Sequence, residues 1–212
     1  MADRRFTQAA ACRVETRDDG GQRLVGYGAV FYRDSDPGTE YMLWNDTYER
    51  IDRGAFGKAM QRGDDVRGLY NHNPDYVLGR TASGTMRLSV DDVGLRYEID
   101  LPDTQTAKDV AASVARGDIT GSSFAFRVED ESQAYDKAAK RTIRTIKQVR
   151  LFDVGPVTYP AYEATTTALR CEDDASEARA SIDAWQRQRT REAEAVATRA
   201  RIVELDTLHD RT

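Results

Sequence analysis

Met86-Arg87-Leu88-Ser89-Val90-Asp91-Asp92-Val93-Gly94-Leu95-Arg96-Tyr97-Glu98-Ile99-Asp100-Leu101 alternates apolar and polar residues on both sides of a short acidic loop. A period of two residues is typical of strands that bury one face, and a loop of about 3–5 residues containing glycine predicts a hairpin. Further strands are predicted at residues 23–32, 48–51, 66–70, 122–128 and within 141–157. Because strands follow one another with few helices between them, we expect an α+β, mainly β fold, with a small closed or partly closed β-barrel flanked by helices.

Two helices are predicted in this strand-rich part of the chain. Asp52 would cap the first, over residues 55–61, and Gly63 would end it. Asp103 or Thr104 would cap the second, which Gly117 would end. The polar stretch 129–140 is interpreted as a mobile connection.

The composition changes after Cys171, where Ala, Arg, Glu, Asp and Thr dominate. Ile182, Val196 and Val203 lie at heptad-compatible spacing, which predicts an exposed, charged helical C-terminal arm. The predicted division is therefore a core domain over residues 1–170 and an arm over residues 171–212.

The composition excludes several classes of protein. The 212 residues carry a formal net charge of -5, which argues against a generic nucleic-acid binder. No apolar run is long enough to span a membrane, and residues 1–6 lack the apolar stretch of a secretory signal, so a cytoplasmic location is expected. The 2 cysteines, Cys12 and Cys171, show no CxxC spacing and are interpreted as structural thiols. No metal and no cofactor is expected.

Histidine is scarce, and the 2 histidines of the chain differ in kind. His209 lies in the charged tail, whereas His72 lies in Tyr70-Asn71-His72-Asn73-Pro74, directly after a predicted strand. Imidazole is the side chain best suited to acid–base chemistry near neutral pH, so His72 is the candidate general base. The alternative is a solvent-facing loop histidine.

A candidate nucleophile lies about fifty residues further on, in Gly121-Ser122-Ser123-Phe124-Ala125-Phe126. Successive side chains of a strand point to opposite faces, so Ser122 shares an apolar, core-like face with Phe124 and Phe126. Ser123 shares the other face with Ala125 and Arg127, where small neighbours leave room for a substrate. Ser123 is therefore the preferred nucleophile, and the alternative is that both serines are ordinary strand residues.

A serine hydroxyl needs a base, and the base needs an orienting partner. Asp153 is the candidate, because strand alternation places it on a face with Val149, Leu151 and Val157, where an unpaired carboxylate is unfavourable. It could instead pair with an arginine or cap a turn, and Asp75 is a rival nearer to His72. The sequence does not identify the donors of an oxyanion hole, for which backbone amides near Gly121, assisted by Arg80 or Arg127, are candidates.

Seven blocks of the chain together resemble the prohead proteases of tailed bacteriophages, over about residues 24–169. They are Gly26–Phe31, Glu49–Phe56, Tyr70–Asn73, Leu78–Thr81, Gly94–Tyr97, Gly117–Phe126 and Leu151–Tyr162. The family motif at the nucleophile usually reads Gly-Met-Ser-Phe-Gly-Phe; its serine falls on Ser123, with Ser122 in place of methionine and Ala125 in place of the second glycine. The family histidine falls on His72, and its acidic residue, more commonly glutamate, falls on Asp153.

The resemblance implies a serine endopeptidase of capsid maturation with a fold related to the herpesvirus assembly protease. It implies cleavage of the scaffold protein, or of the scaffolding segment of the major capsid protein, inside the immature prohead in the host cytoplasm. It also implies self-processing. The implied partners are those two substrates, and neither nucleic acid nor a membrane is an implied partner. Formation of a homo-oligomer is left open.

Two other functions compete with this hypothesis. The first is a catalytically inactive capsid-assembly or scaffold protein with a protease-like core, in which the helical arm binds capsid or scaffold. The presence of His72, Ser123 and Asp153 together argues against it. The second is a small-molecule esterase, which is disfavoured because the Gly-x-Ser-x-Gly nucleophile elbow is missing.

Overall fold

The computed structural model describes residues 3–7, 12–44 and 46–159, and only four residues of the C-terminal segment. The chain divides into two units, Met1–Asp174 and Ala175–Thr212. In the second unit the four described residues, Ala184, Arg187, Gln188 and Arg191, are helical and exposed. The rest of the predicted arm, Cys171 and His209 lie outside the described residues, so the boundary at 170 and 171 stays a prediction.

Strands dominate the first unit. In chain order they are β1 (Asp3–Thr7), β2 (Arg13–Thr16), β3 (Gln22–Val30), β4 (Glu40–Trp44), β5 (Thr47–Ile51), β6 (Arg67–Leu69), β7 (Val77–Arg80), β8 (Met86–Val90), β9 (Gly94–Asp100), β10 (Gly121–Asp136) and β11 (Arg141–Val157). A 3₁₀ turn at Pro37–Thr39 and two helices, α1 (Gly57–Arg62) and α2 (Gln105–Arg116), complete the described elements.

The strands form two sheets that share one hydrophobic core. The larger sheet runs in the order β1-β10-β11-β5-β4, with β6 paired to β11 and β7 paired to β6, and the smaller runs β2-β3-β9-β8. β3 packs against β10 and β11, and buried aromatic rings such as Phe31, Phe56 and Phe124 fill the core. The mainly β class with few helices is confirmed. Strand pairing among the described residues closes neither sheet, so the closed barrel is not confirmed.

The predicted hairpin is present as β8 and β9, paired from Met86↔Ile99 to Val90↔Leu95. Its loop is held by Asp91, whose Oδ1 accepts hydrogen bonds from the backbone amides of Val93 and Gly94. Local side-chain bonding of this kind is why aspartate favours turns.

Both helices are present, and they differ from the prediction in the cap and the bounds of the first, which was predicted over residues 55–61. Thr104 caps α2 by accepting a bond from the amide of Ala107, and Gly117 ends it in the left-handed conformation. Asp52 does not cap α1: its carboxylate accepts from the amide of Gly54 instead, and α1 begins at Gly57 without a side-chain cap.

The prediction of a mobile connection over residues 129–140 was wrong. β10 continues to Asp136 and pairs with β11 down to Asp136↔Arg141, so only a short turn separates the two strands. This part of the ladder lies at the surface, and strands with both faces largely solvated lack the apolar alternation on which the prediction depended. Glu131, paired with Arg144 across the ladder, adds to its stability.

We expect Gly155→Ala to destabilise the fold. A Cβ at Gly155 would lie 2.0 Å from the carbonyl oxygen of Leu69, and backbone on β6 cannot yield as a flexible side chain would. The free energy of unfolding should fall by at least about 2 kcal/mol, measured by denaturant titration. The matched control is Gly57→Ala at the start of α1, where a Cβ meets open space and the change should be near zero or favourable. Equal effects of the two substitutions would contradict this packing argument.

Candidate active site

The fold brings together the three predicted site residues, which lie far apart in the sequence. His72 lies in the turn between β6 and β7, Ser123 on β10 and Asp153 on β11. His72 Nε2 is 2.5 Å from Ser123 Oγ, across 51 residues of sequence, and His72 Nδ1 is hydrogen-bonded to Asp153 Oδ1, across 81 residues. One imidazole therefore bridges a hydroxyl and a carboxylate.

The two hydrogen bonds select one tautomer of the imidazole. An ionised carboxylate only accepts, so His72 Nδ1 carries the proton in the bond to Asp153. In the neutral ring Nε2 is then bare and accepts from the hydroxyl of Ser123. This is the state in which an imidazole can remove a proton from serine.

All three side chains are shielded from solvent. Ser123 is fully buried, and 6% of the His72 side chain and 12% of the Asp153 side chain are exposed. Exclusion of water strengthens the electrostatic coupling between them.

Ser122 points into the core, as strand alternation predicts. Its Oγ lies 2.8 Å from the hydroxyl of Tyr97, and both groups are buried. A Cβ at Gly26 would lie 2.6 Å from the Tyr97 hydroxyl oxygen, so glycine there makes room for this contact. Of the two adjacent serines, only Ser123 is hydrogen-bonded to His72.

The face assigned to Asp153 from the sequence was right for Val157 but wrong for Val149 and Leu151. Ala125 pairs with Asp153 and Phe126 with Leu151, so the register skips Phe152 and β11 bulges there. Cross-strand partners share a face and consecutive residues do not, so Asp153 and Leu151 lie on opposite faces. The bulge puts Asp153 on the Ser123 face and leaves Leu151 in the core.

The turn that carries His72 is an unusual piece of backbone. Asn71 and His72 both have positive φ, of 54° and 56°, which is uncommon for residues other than glycine and persists only where the surroundings enforce it. The amide of Asn71 donates to the carbonyl of Pro156, and its side-chain Oδ1 accepts from the amide of Thr158.

Further side-chain bonds join the same turn to the end of β11. Asn71 Nδ2 donates to Thr158 Oγ1, and the hydroxyl of Tyr70 lies 2.7 Å from the same oxygen. The strand that carries Asp153 thus also anchors the turn that carries His72. Sequence reasoning missed Asn71 and Thr158, and the available signal was the asparagine before His72, since asparagine tolerates the left-handed conformation.

The other residues considered from the sequence lie elsewhere. Asp153 occupies the position at His72 Nδ1 for which Asp75 was the rival. Arg80 is bound by Asp65 through two hydrogen bonds. Cys12 is a buried free thiol, and desolvation by burial raises its pKa, which agrees with a structural role.

The described residues contain no group of three or more His, Cys, Asp or Glu side chains arranged to hold a metal ion. Within the same part of the chain, no helix is long and apolar enough to cross a membrane.

Comparison with known proteins gives one family and one structural likeness. The sequence model for the family described as caudovirus prohead serine protease matches residues 10–179. No curated protein matches the sequence. Among solved structures, that of the bacteriophage T4 capsid assembly protease is similar with a TM-score of 0.44 and 10% identity, over 74% of this chain and 98% of that chain.

Proposed function

Because the chain belongs to the caudovirus prohead serine proteases, we propose that it is an endopeptidase of capsid maturation whose chemistry is carried by Ser123, His72 and Asp153. The observation that supports these roles is the single imidazole hydrogen-bonded to both a serine hydroxyl and a carboxylate. Acyl transfer needs a nucleophile and a base within hydrogen-bond reach of each other, and a third group that orients the base.

In the proposed reaction, Ser123 Oγ attacks the carbonyl carbon of the scissile peptide while His72 Nε2 takes the hydroxyl proton. The tetrahedral intermediate collapses as His72 gives that proton to the leaving amine, which leaves an acyl ester on Ser123. Water, deprotonated by His72, then attacks the ester carbonyl carbon. The bond to Ser123 Oγ breaks as His72 returns that proton to Oγ, which releases the new carboxyl end and regenerates the serine. Asp153 holds the imidazole tautomer and stabilises the imidazolium formed in each half of the reaction.

The proposed substrates are the scaffold protein and the major capsid protein, the latter through a scaffolding segment. Cleavage would occur inside the immature prohead in the host cell. Because Ser123 is fully buried, a peptide reaches it only after the groups that cover it move. We further propose that residues 171–212 form a helical arm that self-cleavage removes. A homo-oligomer of the enzyme would be compatible with its confinement in the prohead.

The proposal is tested by intact mass of the purified full chain, alone and after co-expression with its coat and scaffold proteins. We expect new fragments with the wild type and none with Ser123→Ala. Identical fragments with both would indicate a host protease. An intact coat and scaffold beside the wild type in assembled proheads would favour the inactive assembly protein.

We expect Asn71 to act as a positioning residue in this reaction. Asn71→Gly keeps the left-handed backbone accessible but removes both side-chain bonds to Thr158. The two bonds stabilise the productive orientation of the His72 turn by about 1–2 kcal/mol. Their loss should lower kcat roughly tenfold with little change in KM, measured by peptide cleavage. A merely structural role would instead lower the unfolding midpoint and leave kcat of the folded enzyme unchanged. Asn73→Gly, which removes a bond to the amide of Asp75 in the same turn, is the matched control.

A further inference from the structure

Two arginines lie opposite each other on the face of the sheet that carries Ser123. Strand alternation places Arg127 on the same face as Ser123 and Ala125. Arg150 on β11 is the cross-strand partner of Arg127 and therefore shares that face. Ser123 and Arg127 are four positions apart, or about 13 Å along the strand.

This pairing conflicts with the local rules of sheet stability, because like charges directly opposite each other are destabilising. Among the described residues, neither Arg127 nor Arg150 forms an ion pair with a carboxylate. The nearby arginines do: Arg62 binds Asp64 and Glu129, and both Arg67 and Arg80 bind Asp65. Within the described residues, two cations without an ion-pair partner thus lie together on a chain whose net charge is -5.

Asp64, a carboxylate that interacts with the charge of Arg150, is already engaged. Burial alone would raise the pKa of Asp64, but hydrogen bonds from Arg62 and from the Leu151 amide, with the charges of Arg62 and Arg150, hold it below its usual value. Arg150 therefore contributes to a field that favours negative charge, without being the group that satisfies Asp64.

Arg150 lines a cleft that extends to Phe152, beside Asp153, and Arg127 adjoins this cleft through its contact with Phe152. The cleft has a volume of about 590 Å³ and is lined by side chains that include Arg62, Asp64, Asp65, Arg67, Arg150 and Phe152. Phe152 is the bulged residue directly before Asp153, and the guanidinium of Arg127 lies 5.8 Å from the centre of its ring. The aromatic ring holds Arg127 by a cation–π contact and leaves its polar edge available.

We propose that Arg127 and Arg150 are specificity residues that bind an acidic side chain of the substrate polypeptide. The site would read a position about three to five residues from the scissile bond, since an extended peptide rises about 3.3 Å per residue and the pair lies about 13 Å from Ser123. Guanidinium groups match the planar geometry of a carboxylate and bind it with charge-assisted hydrogen bonds. The inference rests on the proposed function, because it assigns a substrate feature to that same site. Asp64 and Asp65 line the same cleft but are ion-paired with Arg62, Arg67 and Arg80. Nucleic acid is disfavoured as the ligand because the net charge of the chain is -5.

The test uses the full chain and a peptide that spans a cleavage site mapped by mass spectrometry. Each acidic residue of the peptide is replaced in turn by its amide. We expect one amide substitution to lower kcat/KM about tenfold, mainly through KM, and Arg150→Gln or Arg127→Gln to remove that difference. The matched control is Arg116→Gln, an exposed arginine at the end of α2, which should preserve the acid preference. Restored cleavage of a lysine-containing peptide by Arg150→Glu would identify the contact directly.

A binding measurement separates failure of this inference from failure of the proposed function. In the Ser123→Ala background, fluorescence anisotropy of labelled acidic and amide peptides reports recognition without catalysis. An acid preference that Arg150→Gln abolishes supports the inference even if no turnover is observed. Equal binding of the two peptides overturns it even if the wild type cleaves both. Binding of an oligonucleotide by the arginine pair, with no acid preference, overturns it as well.

Discussion

Replacing Ser123 with alanine is expected to abolish peptide-bond hydrolysis, with kcat lowered by a factor on the order of 10⁴ to 10⁶. Alanine cannot attack the scissile carbonyl, and His72 Nε2 loses the hydroxyl from which it takes a proton. Ser123 Oγ forms no bond that holds the two sheets together, so the folded state should survive. The measurement is turnover of a mapped peptide substrate, with circular dichroism to confirm the fold.

Ser122→Ala is the matched control, since it removes the same hydroxyl from the neighbouring residue. Its loss leaves the buried hydroxyl of Tyr97 without this partner, which should destabilise the protein by about 1–3 kcal/mol. Turnover by the folded enzyme should remain close to that of the wild type. The two variants thus separate activity from stability.

A phosphonate label gives a second measurement of the same prediction. Covalent labelling should occur at Ser123 in the wild type and in Ser122→Ala, and should disappear in Ser123→Ala. If activity and labelling follow Ser122 instead, the nucleophile lies on the opposite face of β10 and the proposed mechanism is wrong.

Local patterns in the sequence were enough to predict the parts of the fold that local chemistry determines. The alternation around Asp91 predicts the β8–β9 hairpin because one face of each strand is buried. The same alternation distinguishes Ser123 from Ser122, because β10 is regular at that point and the apolar face is filled by Phe124 and Phe126. Thr104 and Gly117 mark the ends of α2 for the same local reason.

Features that depend on strand pairing were not predictable in this way. The bulge at Phe152 reverses the alternation of β11 next to Asp153, and no residue type in that stretch signals it. The surface part of β10 up to Asp136 is a strand because β11 pairs with it, although its composition resembles a loop. The bond of His72 to groups 51 and 81 residues away is likewise a product of topology.

The bulge in β11 and the left-handed turn together bring the Asp153 carboxylate and the His72 imidazole to the same face of the sheet. The bulge puts the Asp153 carboxylate on the Ser123 face, and the turn at Asn71 projects the imidazole over that same face. Both devices depart from regular backbone, and both lie at the proposed reaction centre. Strain and irregularity concentrated at a functional site are expected when geometry there matters more than local stability.

Asp153→Asn is expected to lower kcat by a factor of about 10³–10⁴ while leaving KM nearly unchanged. An amide can donate to His72 Nδ1, which moves the ring proton to Nε2 and removes the acceptor for the Ser123 hydroxyl. The imidazolium formed during the reaction would also lose its neighbouring negative charge. The measurement is turnover of the mapped peptide, compared with Ser123→Ala to set the residual rate.

Asp75→Asn is the matched control, because Asp75 is an exposed carboxylate only three residues from His72 in the sequence. It should retain wild-type turnover, since the bond at Nδ1 is made by Asp153 on another strand. A large loss of turnover in Asp75→Asn together with an active Asp153→Asn would show that Asp75, and not Asp153, orients the imidazole. Equal and small effects of both substitutions would mean that Nδ1 needs no charged partner, and that the turn held by Asn71 and Thr158 is sufficient to orient the imidazole.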